Sequence, residues 1–442
     1  MLLLDSALEM LKKYALCDNC LGRQFALLGY NIENHKRGRA IKLALVLQSN
    51  KLYSENNPLG LINLKILKNN AFSREAINTL SHLEKKIDNS EVKACHLCDN
   101  KFQSIEKLVN KIIESLKGYD FDTFLVGIKI PLTFEERNDE FKALFNIIYG
   151  ESIRHEFARL IGKKIAKATK KNPEYKKPDL QIIINPFTDK IFLQINPLFV
   201  AGKYKKFVRT IPQSKWFCST CRGRGCDLCE GTGKLYPESV EELASELLLK
   251  ITKGKKSSFH ASGREDIDAR MLGNGRPFVI EISTPKKRNI DLKLIQQKIN
   301  KTANKKIEVS TLKFVDKDFV RQLKKGESAK KEYRALIEFE HEIVDSRLCQ
   351  LVDHLTNTLI KQQTPIRVLH RRADLTRERY IYSVKVKKVS PRMAEIKVLC
   401  QGGLYIKELV SGDEGRTMPN ISNLMENQAK TLELDVLNVI LN

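Results

Sequence analysis

The chain has 442 residues, with 77 Lys plus Arg against 53 Asp plus Glu and a formal charge of +24. That length predicts two or three domains with full-sized cores. The basic balance points to a polyanionic partner, nucleic acid first and an anionic membrane surface second. No uninterrupted apolar run is long enough for a spanning helix, and Asp5 follows Met1-Leu2-Leu3-Leu4 where a secretory segment would continue. A soluble, cytoplasmic chain that does not enter a membrane is expected.

Taken in order, residues 1–105 read as a zinc-stapled, mainly helical region. Ala7, Leu8, Leu11 and Ala15 form an apolar stripe on a helix over 6–16, with Asp5 or Ser6 as its cap. Cys17-x-x-Cys20 follows directly, and Cys95-x-x-Cys98 closes the region. A Cys-x-x-Cys knuckle presents two thiolates to one tetrahedral ion, so two knuckles complete a Zn(Cys)4 site. A redox dithiol is the alternative, but no thioredoxin-like βαβ pattern surrounds either pair.

Residues 106–210 read as an α/β segment. Helices are predicted over 104–116 and 152–167, and strands over 124–130, 180–185 and 190–196, the last running on to 206. Lys163, Lys164, Lys167, Lys170, Lys171, Lys176, Lys177, Lys203 and Lys205 accompany Tyr175, Tyr204 and Phe207. Lysines interleaved with aromatic rings suit contact with an RNA backbone together with base stacking. The alternative is a solvated basic face. The entry Lys177-Pro178-Asp179-Leu180, the paired strands and the exit Gly202-Lys203-Tyr204-x-Lys206 resemble the THUMP domain, an RNA-binding module of tRNA-modifying enzymes.

Residues 211–442 form the third region. It opens on a second zinc signal, Cys218-x-x-Cys221-x-Gly-x-Gly-Cys226-x-x-Cys229-x-Gly-x-Gly. Four thiolates fill the tetrahedron and leave no position for a catalytic water, so the ion is expected to be structural. The pattern is also that of the DnaJ zinc domain, but only two repeats are present and no His-Pro-Asp triplet occurs. The two sets of knuckles imply one or two zinc ions per chain. Cys349 and Cys400 read as small buried hydrophobes.

A helix over 239–251 starts at the capping box Ser239…Glu242. Next come Arg264, Glu265, Asp266, Asp268 and Arg270 around Ile267, Ala269 and Met271. This alternation predicts a strand carrying both aspartates on one face. Gly273-Asn274-Gly275 predicts a hairpin turn into a returning strand over 278–282. Further strands are expected over 333–340, 380–389 and 394–400, and helices over 291–301, 346–357 and 404–410. The fold class is therefore α+β, ending in a mixed, largely antiparallel sheet with helices packed on it.

Four segments concentrate chemistry-bearing residues: 263–276, 333–337, 363–372 and 402–410. No Walker-type phosphate loop is present. Gly273-Asn274-Gly275 opens no helix, and the Gly-rich loops of a methyltransferase or a thiouridine synthetase are missing. What remains is chemistry on RNA without an organic cofactor, using an Asp, a Tyr and basic residues. Gly263-Arg264-Glu265-Asp266 is similar to the Gly-Arg-x-Asp segment of pseudouridine synthases, and Tyr405-Ile406-Lys407-Glu408-Leu409 to their Tyr-Ile-[Arg/Lys]-x-Leu motif. Together with Arg264…Pro277 and Thr364-Pro365-x-Arg367-Val368-x-His370-Arg371-Arg372, the chain resembles the archaeal and eukaryotic Pus-ten family over essentially its full length.

That resemblance implies a tRNA pseudouridine synthase acting on T-loop uridine 55 and, in archaea, often uridine 54; a monomer is expected. It implies Asp266 as nucleophile, with Lys407 paired to it and Tyr333 stacked on the flipped base. It also implies Arg264 on RNA or in the gap left by the base, Tyr405 on the RNA, and Ile406 and Leu434 about the base. A carboxylate nucleophile reacts as the anion, which a neighbouring cation favours. Asp268 stays open as the alternative nucleophile. Arg367, Arg371 and Arg372 suit phosphate, and His370 serves either as acid–base group or as their orienter. A non-catalytic tRNA-binding zinc protein, and a modifying enzyme dependent on ATP or S-adenosylmethionine, are the rival classes.

Overall fold

The computed structural model describes residues 2–83, 93–325 and 329–440; the side chain of Arg371, one of the three arginines expected at phosphate, lies outside the described set. The chain divides into two compact units, Met1–Asn196 and Pro197–Asn442.

The first unit carries helices α1 (Leu3–Lys13), α2 (Asp18–Gly22), α3 (Asn34–Ser54), α4 (Leu59–Ala71), α5 (Arg74–Leu83), α6 (Ile105–Leu116), α7 (Leu132–Leu144) and α8 (Ile153–Thr169). Its strands are β1 (Thr123–Ile128), β2 (Asn172–Pro173), β3 (Leu180–Asn185) and β4 (Lys190–Ile195), in the order β2-β1-β3-β4. α1 starts three residues earlier than the stripe suggested, with Leu2 at its cap, and Ser6 bonds back to the Leu2 carbonyl (3.3 Å). Leu180, Ile182 and Ile184 bury one face of β3, while α6 buries Ile105, Leu108, Val109, Ile112 and Leu116. One hydrophobic cluster runs from Ala7 to Ile184. The helical and α/β segments thus share a core instead of parting near 105. Asn19 and Asn34 both donate to the fully buried carboxylate of Glu156 (2.8 Å each), tying α2 and α3 to α8.

The second unit contains β5 (Leu198–Lys206), α9 (Val240–Thr252), β6 (Lys256–Ala261), β7 (Ala269–Ser283), α10 (Leu292–Thr302), β8 (Ile307–Val315), α11 (Lys317–Lys325), β9 (Lys330–Phe339), α12 (Asp345–Leu355), β10 (Thr358–Gln363), β11 (Thr376–Ser390), β12 (Met393–Gln401), α13 (Ile406–Ser411), β13 (Thr417–Met418), α14 (Ile421–Met425) and β14 (Ala429–Ile440). Its sheet runs β13-β10-β11-β12-β9-β14-β7-β5-β8, with β6 on β7. Among the described residues every pairing in this sheet is antiparallel except β14 with β7. Strand β5, with Lys203 and Lys205, hydrogen-bonds to β7 and β8. The break expected near 210 therefore falls at 196/197, because this strand's partners all lie downstream. The side chains alternate as a twofold period requires: Val200, Phe278 and Ile280 meet α9 and α10, whereas Phe199, Ala201 and Val279 meet α11. α12, α13 and α14 cover the other half of the sheet.

Gly273-Asn274-Gly275 does not make the expected hairpin. Residues 269–283 are one long strand that changes partner midway, from β14 at Ala269–Met271 to β5 and β6 beyond it. The glycines serve close approach as well as positive φ (54° and 73°). A Cβ on Gly273 would lie 2.0 Å from the Leu437 carbonyl oxygen, and one on Gly275 2.9 Å from that of Tyr204. Residues 264–268 likewise form a loop and turn instead of a strand.

Where β7 joins β14, Asp435 stands in register with Arg270 and Arg334. Its carboxylate, 2% exposed, accepts from Arg270 (2.8 and 3.0 Å), Arg209 (2.8 Å) and Arg334. Burial alone would raise the Asp435 carboxyl, but hydrogen bonds from Arg270 and Arg334 outweigh it and hold the group below its usual range. A folded value below the unfolded one gives stability that is complete at neutral pH and is lost as pH falls through the carboxylate range. Asp435→Asn is expected to cost about 3 kcal/mol at pH 7 and progressively less towards pH 3, read from urea unfolding at a series of pH values.

Candidate active site

The loop 262–268 hangs between β6 and β7, and buried polar groups fix its backbone. Glu265 is fully buried and accepts from Arg276 Nε (2.9 Å) and from Tyr204 Oη (2.9 Å to each oxygen). Arg276, also buried, donates to the Ser262 carbonyl (2.7 Å). Gln213 Nε2 donates to Tyr204 Oη (2.7 Å) and to the Gly263 carbonyl (3.0 Å). The Lys206 ammonium donates to the carbonyls of Ile211 (3.0 Å), Asp266 (3.2 Å) and Ile267 (2.9 Å). Burial pushes the Lys206 amine down to about 8. Glu265 thus turns inward as a structural anion, and Asp266 turns the other way.

Asp266 opens onto a cavity of about 870 Å³. Arg264, Tyr333, Arg367, Arg372, Tyr405, Ile406, Lys407 and Leu434 share its wall; Lys203, Lys205 and His370 do not. Eight of the lining residues are Lys or Arg and two are acidic, which suits a polyanionic ligand. Lys324, Lys331, Arg377 and Arg379 among them were not singled out from sequence; Arg377 and Arg379 carry a strand signal, since both fall on one face of β11.

Asp266 Oδ2 lies 3.0 Å from Arg367 and 3.8 Å from Lys407 Nζ. Lys407 sits closer to Asp268 (2.6 Å), and Arg367 Nε binds Glu408 (2.6 Å). Asp268 is more exposed and stands outside the cavity lining. Burial opposes its ionisation, but the Lys407 hydrogen bond and charge hold the Asp268 carboxyl below its usual value. Burial, with the nearby Cys400, Asp266 and Glu265, pushes the Tyr333 phenol well up, against the pull of Arg276, so it is neutral at physiological pH. Tyr405 Oη accepts from Arg372 (2.7 Å), and its backbone is held by Gln362 (2.8 and 3.0 Å). The Arg264 guanidinium lies 4.9 Å from the centre of the Trp216 ring, just before the zinc knuckle.

Both cysteine quartets close as the spacing required: Cys17, Cys20, Cys95 and Cys98 in the first unit, and Cys218, Cys221, Cys226 and Cys229 in the second. A tetrahedral ion with Zn–S near 2.3 Å has S···S edges of about 3.8 Å. Cys17–Cys98 measures 3.7 Å, and in the second quartet Cys218–Cys226 measures 3.8 Å and Cys221–Cys229 and Cys226–Cys229 3.7 Å. Backbone N–H groups of Gly225 and Gly233 point at the sulfurs of Cys221 and Cys229 (3.2 and 3.1 Å). Both donor sets fit zinc.

The family description "Pus10, C-terminal" matches residues 199–440, and "Pus10 THUMP domain, archaeal" matches 108–185. The curated "tRNA pseudouridine synthase Pus10" of Methanocaldococcus jannaschii is 46% identical over 435 residues, covering 98% of this chain and 93% of that protein. Proteins of the same name from Methanothrix thermoacetophila (36% identical; 99% and 94% covered) and Thermofilum pendens (38%; 97% and 94%) align at similar length. The chain belongs to the Pus10 family.

Two outcomes are expected. Glu265→Ala leaves the Arg276 charge buried without its partner and should cost about 3–5 kcal/mol, measured by chemical denaturation. Metal analysis should find about two zinc ions per chain, falling to about one when Cys226 and Cys229 are both changed to Ser.

Proposed function

We propose that this chain isomerises uridine to pseudouridine in the tRNA T-loop, at uridine 55 and also at uridine 54, with Asp266 as the nucleophile. The observation that carries this reading is the Asp266 carboxylate, ion-paired to Arg367 at 3.0 Å, at the wall of a strongly basic cavity. The uridine flips out of its stack into the cavity, where Tyr333 stacks on the base. The Asp266 carboxylate adds to C1′ or C6, and the bond from N1 to C1′ breaks. The base rotates and C5 bonds to C1′; the bond to Asp266 breaks, returning the free carboxylate, and the C5 proton leaves with Tyr333 taking part while N1 regains a proton. Every atom of the uridine is kept, so the reaction consumes no organic cofactor.

Arg264, Arg372, Tyr405 and Ile406 hold the flipped nucleotide and its neighbours. Lys203 and Lys205, on β5 outside the cavity, contact more distant backbone. The first unit, with its THUMP match, grips the rest of the tRNA. The two zinc ions shape the protein and take no part in the reaction. The enzyme works as a monomer in the cytoplasm; no helix among the described residues is long and apolar enough to cross a membrane.

The test is incubation of purified protein with an unmodified tRNA transcript, followed by carbodiimide-dependent primer-extension stops. Wild-type protein without added cofactor should give stops in the T-loop. Asp266→Asn should give none while still binding tRNA, and Asp268→Asn should give product at a reduced rate. No stop with wild-type protein would favour a non-catalytic tRNA-binding zinc protein; full activity in Asp266→Asn would remove the nucleophile.

A further inference from the structure

The pairing of charges around Asp266 differs from what the motifs alone suggest. Lys407 and Glu408 are consecutive residues at the start of α13, about 100° apart around its axis. They therefore face different partners. Lys407 reaches Asp268 at 2.6 Å, and Glu408, 5% exposed, reaches Arg367 Nε at 2.6 Å. The other edge of the Arg367 guanidinium meets Asp266 at 3.0 Å, nearer than Lys407 at 3.8 Å.

The backbone under Arg367 is fixed. It belongs to the short turn Ile366–Arg371, where Ile366 N–H donates to Asp413 (3.0 Å) and Val368 N–H to the Pro365 carbonyl (3.0 Å). Arg416 donates to the Thr364 carbonyl beside it (2.9 and 3.1 Å). A planar guanidinium held at its base and at one edge can fix a carboxylate at its other edge; a lysine ammonium, as a point charge, has no such fork. Other charged and titratable groups around this carboxylate are Glu265, Arg276, Lys206 and Tyr333, the first three committed to the buried loop contacts, with Arg264, Lys331 and Arg372 on the same cavity wall.

We infer that Arg367, braced by Glu408, is the positioning residue that aims the Asp266 carboxylate, and that Lys407 is held mainly by Asp268. This rests on the reading of Asp266 as nucleophile. The guanidinium of Arg367 is then occupied by two carboxylates and is not a phosphate contact, unlike that of Arg372, which donates to the Tyr405 hydroxyl.

The experiment compares single-turnover rates and tRNA affinities of Arg367→Ala, Arg367→Lys, Glu408→Gln, Lys407→Ala and Asp266→Asn, each checked by thermal melting. Arg367→Ala is expected to lose about 100-fold in rate, the scale of an ångström of misplacement, with affinity nearly unchanged. Added guanidinium at non-denaturing concentration should raise its rate and leave those of Lys407→Ala and Asp266→Asn unmoved. Arg367→Lys should recover little. If Arg367→Ala does not fold, Glu408→Gln carries the test through a slower rate at unchanged affinity. A loss of affinity that matches the loss of rate would make Arg367 a phosphate contact and overturn the inference, as would failure of guanidinium to restore activity. A fully active Arg367→Ala beside an inactive Asp266→Asn overturns this inference alone; an active Asp266→Asn overturns the reading beneath it.

Discussion

The site depends on one buried ion pair. Glu265 and Arg276 lie out of water, where an unpaired charge is strongly unfavourable, and they are tolerable because each is paired and hydrogen-bonded. Tyr204 closes the pair from β5, and Gln213 links the tyrosine to the loop backbone. With Glu265 facing inward and Lys206 gripping the carbonyls of residues 266 and 267, the next side chain has to leave on the cavity side. Asp266 is therefore placed by its backbone, and only then addressed by Arg367.

Strand β7 supplies Arg276, the loop leading into it supplies Glu265, and the strand's path is set by tight contacts. β7 starts parallel to β14 and then moves to β5 and β6. Gly273 and Gly275 allow neighbouring carbonyls to come where a side chain would stand. The arginines around Asp435 lock the parallel portion from β7, β9 and the segment after β5. One stretch of chain thus joins the two halves of the sheet at the place where the cavity opens.

Much of this was legible in sequence, and the exceptions have physical reasons. The four Cys-x-x-Cys pairs announced two sulfur tetrahedra, because the ligands of one site must recur at knuckle spacing. Short motifs brought Asp266, Tyr333, Tyr405, Ile406 and Lys407 to a common wall from distant segments. The hairpin was misread because Gly-Asn-Gly suits a tight turn and a close strand approach equally well; only the neighbouring backbone decides between them. The alternation of acids with apolar residues over 266–271 suggested a strand, yet Glu265 and Lys206 impose a loop there through contacts no local window contains. The partner of Lys407 was equally hidden, since the choice between Asp266 and Asp268 turns on where α13 sits. Nothing in the sequence marks Lys206 as buried beside the exposed Lys203 and the half-buried Lys205.

The stacking of Arg264 on Trp216 has a practical consequence. The chain contains a single tryptophan, just ahead of Cys218 in sequence, and its indole lies under Arg264 of the loop that bears Asp266. An aromatic ring under a guanidinium is sensitive to the withdrawal of that cation. The protein thus has a built-in optical reporter, free of interference from any second indole. A change in its emission is expected when the Arg264 guanidinium leaves the ring, so movement of the loop can be followed by fluorescence.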